Sequence, residues 1–168
     1  MNKTNLSVNL NKVALLRNAR GSNYPSLIDI AAICSKHEIC GITLHPRPDE
    51  RHATSSDVIE ISNFCKEQEL EFNIEGNPFT VENGSFRGFE NLVKEINPHQ
   101  ATLVPDLEDQ VTSDHGWSSG NHDKELKSIV ERIQTHCDFV SLFIDADRES
   151  VDYALETGAN AVEIYTGP

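Results

Sequence analysis

The chain alternates between short β-rich runs and helical patterns, and this alternation limits it to a small set of folds. The β-rich runs lie at residues 6–11, 41–46, 70–75, 100–106, 139–145 and 161–166. Strands that alternate with helices pair in parallel, because each helix crosses back over the sheet before the next strand begins. The sequence therefore predicts an α/β domain with six parallel strands.

Apolar residues recur at helical spacing in three of the connecting segments. These stripes are Val58/Ile61/Cys65, Phe89/Leu92/Val93/Ile96 and Leu126/Ile129/Val130/Ile133. One-sided stripes of this kind are typical of helices that cover a sheet. Thr54 and Asp57 have the spacing of a capping box, and Gly158 suits the left-handed position after a helix that ends at Thr157.

Polar side chains gather at the carboxyl ends of the predicted strands. They are Asn9, Asn11, His45, Arg47, Glu75, Asp106, Asp145 and Glu163. In a (β/α) barrel these ends meet at one mouth, where catalysis takes place, and the inward residues below the mouth are mostly bulky and apolar. The absence of GxGxxG after the first strand and of GxxxxGK[ST] disfavours dinucleotide-binding and P-loop folds, which leaves a barrel or a flavodoxin-like sheet.

The length of the chain bears on how complete a barrel it can form. Six strands do not close an eight-stranded barrel, which typically needs about 250 residues. We therefore expect residues 1–168 to be a single domain, the N-terminal two-thirds of a (β/α)8 TIM barrel with about six βα units. The same reasoning predicts that the isolated chain is inactive and poorly folded, because an open sheet exposes its edges.

The net charge of −13 argues against nucleic-acid and anionic-membrane partners, but the charge is unevenly distributed. Residues 1–52 carry +3 and residues 53–168 carry −16, so an anionic ligand is expected against the N-terminal third. No apolar run approaches the roughly 18 residues of a membrane span. The four cysteines show no C-x-x-C motif and are expected to be unpaired, which favours a cytoplasmic location.

Several segments together resemble the pyridoxine 5′-phosphate synthases, enzymes of vitamin B6 biosynthesis. The opening segment is VNLNKVALLRNARG at residues 8–21, and GITLHPRPDERH follows at 41–52. Shorter matches in the same order are NIE at 73–75, LVP at 103–105, VT at 111–112 and VSLFIDAD at 140–147. The resemblance covers essentially the whole chain.

The resemblance implies a transferase that condenses 3-amino-2-oxopropyl phosphate with 1-deoxy-D-xylulose 5-phosphate. The products would be pyridoxine 5′-phosphate, inorganic phosphate and water. No metal and no organic cofactor is implied. The partners implied are phosphorylated small molecules and further copies of the chain, since the family forms homo-oligomers, specifically octamers.

The family pattern also implies roles for individual residues. Substrate contacts would come from Asn9, Asn11, Lys12, Arg20, Arg47, His52 and Thr112. Proton transfer would fall to His45 and Glu75, and transition-state stabilisation to Glu163. The better-known members have Asp-His in place of Asn11 and Lys12, and residues 80–86 look like an insertion relative to them.

The residue types fit this chemistry without the resemblance. Joining an amine to a ketone requires loss of water and then removal of a proton next to an imine, so groups that exchange protons near neutral pH are needed. We expect His45 to be suited by an ordinary pKa, whereas the pKa of Glu75 has to be raised by burial or by a carboxylate such as Glu163. Arg20 and Arg47 are suited to phosphates.

Two other functions are compatible with the same residues. His45, Glu75, Asp145 and Glu163 could ring a divalent metal in a sugar isomerase or aldolase. Alternatively, the chain could be an inactive fragment that only binds phosphates or a partner chain.

Overall fold

A computed structural model of the chain describes residues 4–107, 110, 112–120 and 122–167. The strands are β1 (Ser7–Asn9), β2 (Gly41–Leu44), β3 (Glu71–Gly76), β4 (Gln100–Leu103), β5 (Phe139–Asp145) and β6 (Ala161–Tyr165). The helices are α1 (Asn11–Ala19), α2 (Leu27–Cys34), α3 (Ser55–Glu67), α4 (Phe89–Ile96), α5 (Asp123–Ile133) and α6 (Arg148–Thr157).

The six strands form one sheet in chain order, and every neighbouring pair is parallel. The sheet curls into a half-barrel with the helices on its outer side. This architecture confirms the predicted incomplete TIM-barrel-like α/β fold. Because all strands run the same way, their carboxyl ends converge on the same rim.

The helix-facing side of the sheet forms the apolar core. All three predicted stripes are buried there, and Phe72, Ile74 and Leu142 contribute from the strands. Burying one face of each helix against the sheet supplies most of the driving force for folding. None of the helices among the described residues is long and apolar enough to cross a membrane.

Local capping signals agree with the sequence. Thr54 accepts a hydrogen bond from the backbone N–H of Asp57, whose carboxylate accepts one in return from the backbone N–H of Thr54, so that α3 begins with a complete capping box. Gly158 ends α6 with a φ of 83°. A left-handed residue at this position is usually glycine, because other side chains are strained there.

The concave side of the sheet differs from the expected bulky apolar interior. Thr102 Oγ1 donates to Asn73 Oδ1 at 3.1 Å, and Asn73 Nδ2 donates to Thr43 Oγ1 at 3.4 Å. Ser141 lies beside Thr102 in the sheet register, and Glu71, Gln100 and Glu163 line the same concavity of about 340 Å³. The expectation was therefore wrong for most of this face, which is largely polar, although Phe143 lines the cavity at the rim of the sheet and its ring packs against Tyr165.

Two helices, α1 and α2, were not predicted, and several strands are shorter than expected. Asn11, expected at the end of the first strand, begins α1, because the strand ends at Asn9. The second and fourth strands end at Leu44 and Leu103 instead of at residues 46 and 106. The sequence of α2 is apolar except for Asp29 and gives no periodic signal. The cysteines are free thiols, of which Cys65 is buried and the others are half-buried.

Candidate active site

The carboxyl ends of the strands surround a cavity of about 350 Å³ at the rim of the half-barrel. Nine of the ten predicted site residues line it: Asn9, Asn11, Lys12, His45, Arg47, His52, Glu75, Thr112 and Glu163. They come from five different strands or the loops that follow them. This is the arrangement expected of a barrel active site.

Asn9 and Asn11 connect the end of β1 to both predicted proton carriers. Asn11 Oδ1 accepts the backbone N–H of His45 at 2.7 Å, and the backbone N–H of Asn11 donates to Asn9 Oδ1 at 2.9 Å. Asn9 Nδ2 in turn lies 3.5 Å from Glu75 Oε2. The two amides therefore hold His45 and Glu75 in a shared frame.

His45 lies between two carboxyl groups. Its Nδ1 is 3.8 Å from Glu75 Oε2 and its Nε2 is 3.7 Å from Asp106 Oδ2. Burial, together with the nearby Arg47 and His52, lowers the pKa of His45 to about 3. The expectation of an ordinary histidine pKa was therefore wrong, and the imidazole is neutral at physiological pH.

The pKa of Glu75 is shifted in the opposite direction to that of His45. Burial, reinforced by the negative charges of Glu163 and Asp106, raises the pKa of Glu75 to about 8. Burial also raises the pKa of Glu163. These are the causes expected from the sequence, and they leave a carboxylic acid facing His45 near neutral pH.

Arg47 is held at the rim by two groups from the segment after β4. Its guanidinium donates to a carboxylate oxygen of Asp106 and to the backbone carbonyl of Gln110. Ser113 donates to the same Asp106 oxygen at 2.8 Å. The Nε of Arg47 is buried and has no hydrogen-bond partner within the described residues, so one donor remains available to a ligand.

His52 lies in a positively charged corner of the cavity. Burial, together with the charges of Arg47, Lys12 and Arg51, lowers the pKa of His52. Its Nδ1 is buried without a partner in the part of the chain that the structure describes. In the tautomer that carries its proton on Nδ1, the ring can donate to an oxygen of an anion such as phosphate, beside the cationic side chains.

Arg20 does not lie with the other predicted residues. It follows α1 as its C-cap, its side chain is exposed, and it is not among the side chains that line the mouth. Thr112 does line the cavity, whereas Val111 of the same motif lies outside the described residues.

Asp106 is a site residue that the prediction of roles omitted. It contacts both His45 and Arg47, and it is 5% exposed. The sequence did contain a signal for it. Asp106 follows β4, and the polar residues at the ends of the other strands were all considered for a role. Its carboxylate fixes the orientation of the guanidinium and faces the second nitrogen of the imidazole.

The four residues considered as ligands of a divalent metal do not surround a common point. They are His45, Glu75, Asp145 and Glu163. Asp145 accepts the backbone N–H of Gly116 at 2.9 Å instead of facing the cavity. Among the described residues, no group of three or more His, Cys, Asp or Glu side chains has a geometry that could hold a metal ion.

Comparison with known proteins gives a consistent result. The family model described as "Pyridoxal phosphate biosynthesis protein PdxJ" matches residues 6–168. A pyridoxine 5′-phosphate synthase from Xanthomonas axonopodis pv. citri (strain 306) is 42% identical over 165 residues, and one from Xylella fastidiosa (strain M12) is 43% identical over 166 residues. These alignments cover 98% and 99% of this chain but 65% and 64% of the relatives.

A solved structure supports the fold independently of sequence. A tetrameric deoxyribose phosphate aldolase from Aeropyrum pernix matches with a TM-score of 0.56 at 12% identity. The match covers 96% of this chain and 62% of the aldolase chain. At this level of identity the likeness concerns the fold alone.

Proposed function

Because the chain belongs to the family of the pyridoxal phosphate biosynthesis protein PdxJ, we propose that it supplies the acid–base half of a pyridoxine 5′-phosphate synthase active site. The observation that carries the proposal is the meeting of His45, Glu75 and a cationic corner at one mouth. A synthase that joins two phosphorylated substrates needs both kinds of group within reach of the same ligand.

The proposed substrates are 3-amino-2-oxopropyl phosphate and 1-deoxy-D-xylulose 5-phosphate. Lys12, Arg47 and His52 are the groups proposed to bind a phosphate, since Arg47 presents a buried Nε donor and His52 a buried ring nitrogen, neither with a partner among the described residues. Lys12 stands where the better-known relatives have histidine and keeps a cationic donor at that position. Thr112 is proposed to add a hydroxyl contact from the segment after β4.

Glu75 is proposed to be the general acid of the first step. Condensation of the amine with the ketone expels the ketone oxygen as water, which requires a proton on that oxygen. A carboxyl that keeps its proton near neutral pH can provide it. Glu163, at the end of the same cavity, helps to maintain the protonated form and is proposed to stabilise cationic charge that develops on the imine.

His45 is proposed to be the base of the next step. Its neutral ring carries a lone pair that can accept the proton removed from the carbon next to the imine. Once Glu75 has released its proton, its carboxylate lies 3.8 Å from Nδ1 and favours the imidazolium. Each proton transfer therefore prepares the partner residue for the next one.

Location and assembly follow the family in this proposal. The unpaired cysteines are compatible with the reducing cytoplasm, where we propose that the enzyme acts. We also propose that the complete protein is a homo-oligomer.

The proposal is tested by turnover of the complete protein on the two substrates, followed through release of inorganic phosphate and formation of the pyridine ring. Arg47→Ala should weaken binding of phosphorylated substrates by about 1.5–3 kcal/mol, since a charge-assisted contact is lost. Arg87→Ala serves as the control, because it removes an exposed arginine that pairs with Glu95 and does not line the cavity.

Binding of a dephosphorylated substrate analogue should be unaffected by Arg47→Ala. If the variant keeps the wild-type ratio of affinities for phosphorylated and dephosphorylated ligands, Arg47 does not bind phosphate. If the wild-type protein forms no pyridoxine 5′-phosphate, the proposed function is wrong.

A further inference from the structure

We propose that Asn18, oriented by Arg17, is a positioning residue that clamps residues 46–53, the anion-binding loop, in its ligand-ready shape. The inference rests on the proposed function, because this loop places Arg47 and His52 in the cationic corner of the cavity and Arg51 close enough to lower the pKa of His52. Neither Asn18 nor Arg17 lines the cavity itself.

The side-chain amide of Asn18 lies against three consecutive backbone carbonyls of the loop. Asn18 Nδ2 is 2.9 Å from the oxygen of Glu50, 3.0 Å from that of Arg51 and 2.7 Å from that of His52. The amide nitrogen has two hydrogens, so it shares its donors among the three acceptors. A single side chain on α1 therefore fixes the last turn of the anion-binding loop.

Arg17 determines which way the amide faces. Its Nε donates to Asn18 Oδ1 at 3.0 Å, which leaves the nitrogen as the atom directed at the loop. The other end of the guanidinium forms a bidentate pair with Asp57 at 2.6 and 2.7 Å, and both side chains are buried. A planar guanidinium held at both ends is a rigid support for the neighbouring amide.

Asp57 connects the clamp to the far end of the loop. It is the third residue of α3, where it completes the capping box with Thr54, directly after the loop. A bridge between Pro46 and Ala53 brings the two ends of the loop together. The loop is thus closed at its base and held at its tip by α1.

The backbone of the loop needs such support. Glu50 has a φ of +51°, in the left-handed region that residues other than glycine adopt with strain. Its carbonyl is one of the three that Asn18 binds. Without the clamp, we expect residues 50–52 to relax, which moves the side chains of Arg51 and His52 away from a bound anion.

The clamp has no described contact with the proton carriers. His45 is held through Asn11, and Glu75 through Asn9, on a different part of the rim. Loss of Asn18 should therefore weaken binding of phosphorylated ligands and leave the chemical step intact. A purely structural role would instead lower stability without distinguishing phosphorylated from dephosphorylated ligands.

The experiment compares Asn18→Ala, Asn18→Asp and the control Asn91→Ala in the complete protein. Asn91 Nδ2 makes one bond of the same kind, to the carbonyl of Arg87, on the exposed face of α4. We expect about tenfold weaker binding of inorganic phosphate and a similar rise in KM for Asn18→Ala, with kcat within about twofold. Asn18→Asp should be worse, because a carboxylate then faces three carbonyl oxygens, and Asn91→Ala should have no effect.

Arg17→Lys is the second variant, used if Asn18→Ala fails to fold. It keeps the charge opposite Asp57 but removes the Nε donor that orients the amide, so it should weaken phosphate binding in the same direction by a smaller factor. Unchanged phosphate affinity in the folded Asn18 variants, or a fall in kcat at unchanged KM, overturns the clamp. A wild-type protein that binds phosphate but shows no synthase turnover contradicts the proposed function, while the phosphate titrations still decide whether the clamp exists.

Discussion

At the scale of single residues, the carboxyl group of Glu75, and not the imidazole of His45, carries the exchangeable proton at the mouth of the half-barrel. His45 and Glu75 are 3.8 Å apart, and burial favours the uncharged form of each. Asp106, on the other side of the imidazole, is already paired with the guanidinium of Arg47. The acid and the base of the proposed reaction are thus defined by their surroundings and not by their usual pKa values.

Glu75→Gln tests the proton-transfer role directly. The amide preserves the shape of the side chain and most of its hydrogen bonds, but it can neither release nor accept the proton. We expect kcat to fall by roughly 10²–10⁴ while KM changes little. Steady-state kinetics of the complete protein measure this, and turnover within a few-fold of wild type at an unchanged melting temperature removes Glu75 from the mechanism.

The raised pKa of Glu75 also predicts how stability depends on pH. Between its ordinary value of 4.5 and its folded value of about 8, the folded state binds more protons than the unfolded state. Stability from this group is therefore present below pH 4.5 and is lost as the pH rises towards 8. In Glu75→Gln this part of the loss of stability with rising pH should disappear. If the melting temperatures of the variant and the wild type change in parallel between pH 5 and pH 8, the assignment is wrong.

Position in the chain predicted several of the side chains that meet at the mouth, among them His45 and Glu75. It predicted neither that Asp145 binds the backbone of Gly116 instead nor the protonation states of the site. A polar residue that ends a parallel strand must lie on the shared rim, as Glu75 and Asp106 do. The pKa of His45 depends on how deeply the rim is buried and on Arg47, which the sequence does not reveal. Arg20 was expected at the mouth from a motif alone, and its role there stays a prediction.

At the scale of secondary structure, strands and striped helices were predictable and unstriped helices were not. The strand β5 was predicted with its observed bounds, because Phe139–Asp145 is mostly apolar, with Ser141 as the one interior polar residue and Asp145 at its end. The helix α2 has apolar residues on nearly every face, so no period distinguishes it from a strand. The helix α1 was missed because polar residues from the mouth occupy its first turn.

Gly116 packs directly against the backbone at the end of β5 and leaves no room for a side chain. A Cβ at this position would lie 2.4 Å from backbone atoms of Ile144 and Asp145 at the end of β5. The following residue, Trp117, is buried, and its indole N–H donates to the carbonyl of Leu103 at 2.9 Å. The segment after β4 is therefore anchored across the ends of two strands.

Gly116→Ala should destabilise the protein by about 1–3 kcal/mol, because the added methyl group must displace backbone. It should also shift the fluorescence of Trp117, the single tryptophan of the chain, to longer wavelength. Gly120→Ala is the matched control, since no atom lies within 4 Å of a Cβ there. Equal melting temperatures and identical spectra for the two variants contradict the anchoring.

At the scale of the whole molecule, the half-barrel has two strand edges. Within the described residues, β1 pairs only with β2 and β6 pairs only with β5. Apolar side chains stand exposed at these ends, with Leu6 at 57%, Val162 at 44% and Ile164 at 51%. Unpaired edges with exposed apolar side chains are templates for association with another chain.

The 168-residue chain expressed by itself should consequently self-associate and show no synthase turnover. Ile164→Lys should reduce the association, because a charge on the edge strand opposes pairing. Light scattering over a range of concentrations measures both. A monomer that melts cooperatively and forms pyridoxine 5′-phosphate contradicts this expectation.

The polar concave face has a thermodynamic consequence. Thr43, Asn73, Thr102 and Ser141 make the concave side of the sheet less apolar than its helix-facing side, so unfolding exposes less hydrocarbon than in a domain of equal length with two apolar layers. Newly hydrated apolar surface raises the heat capacity, whereas polar surface lowers it. The heat-capacity change on unfolding, divided by the number of residues, should therefore fall below the usual range of about 12–15 cal/mol/K. The curve of stability against temperature is then broad and shallow, which scanning calorimetry of the complete protein can record.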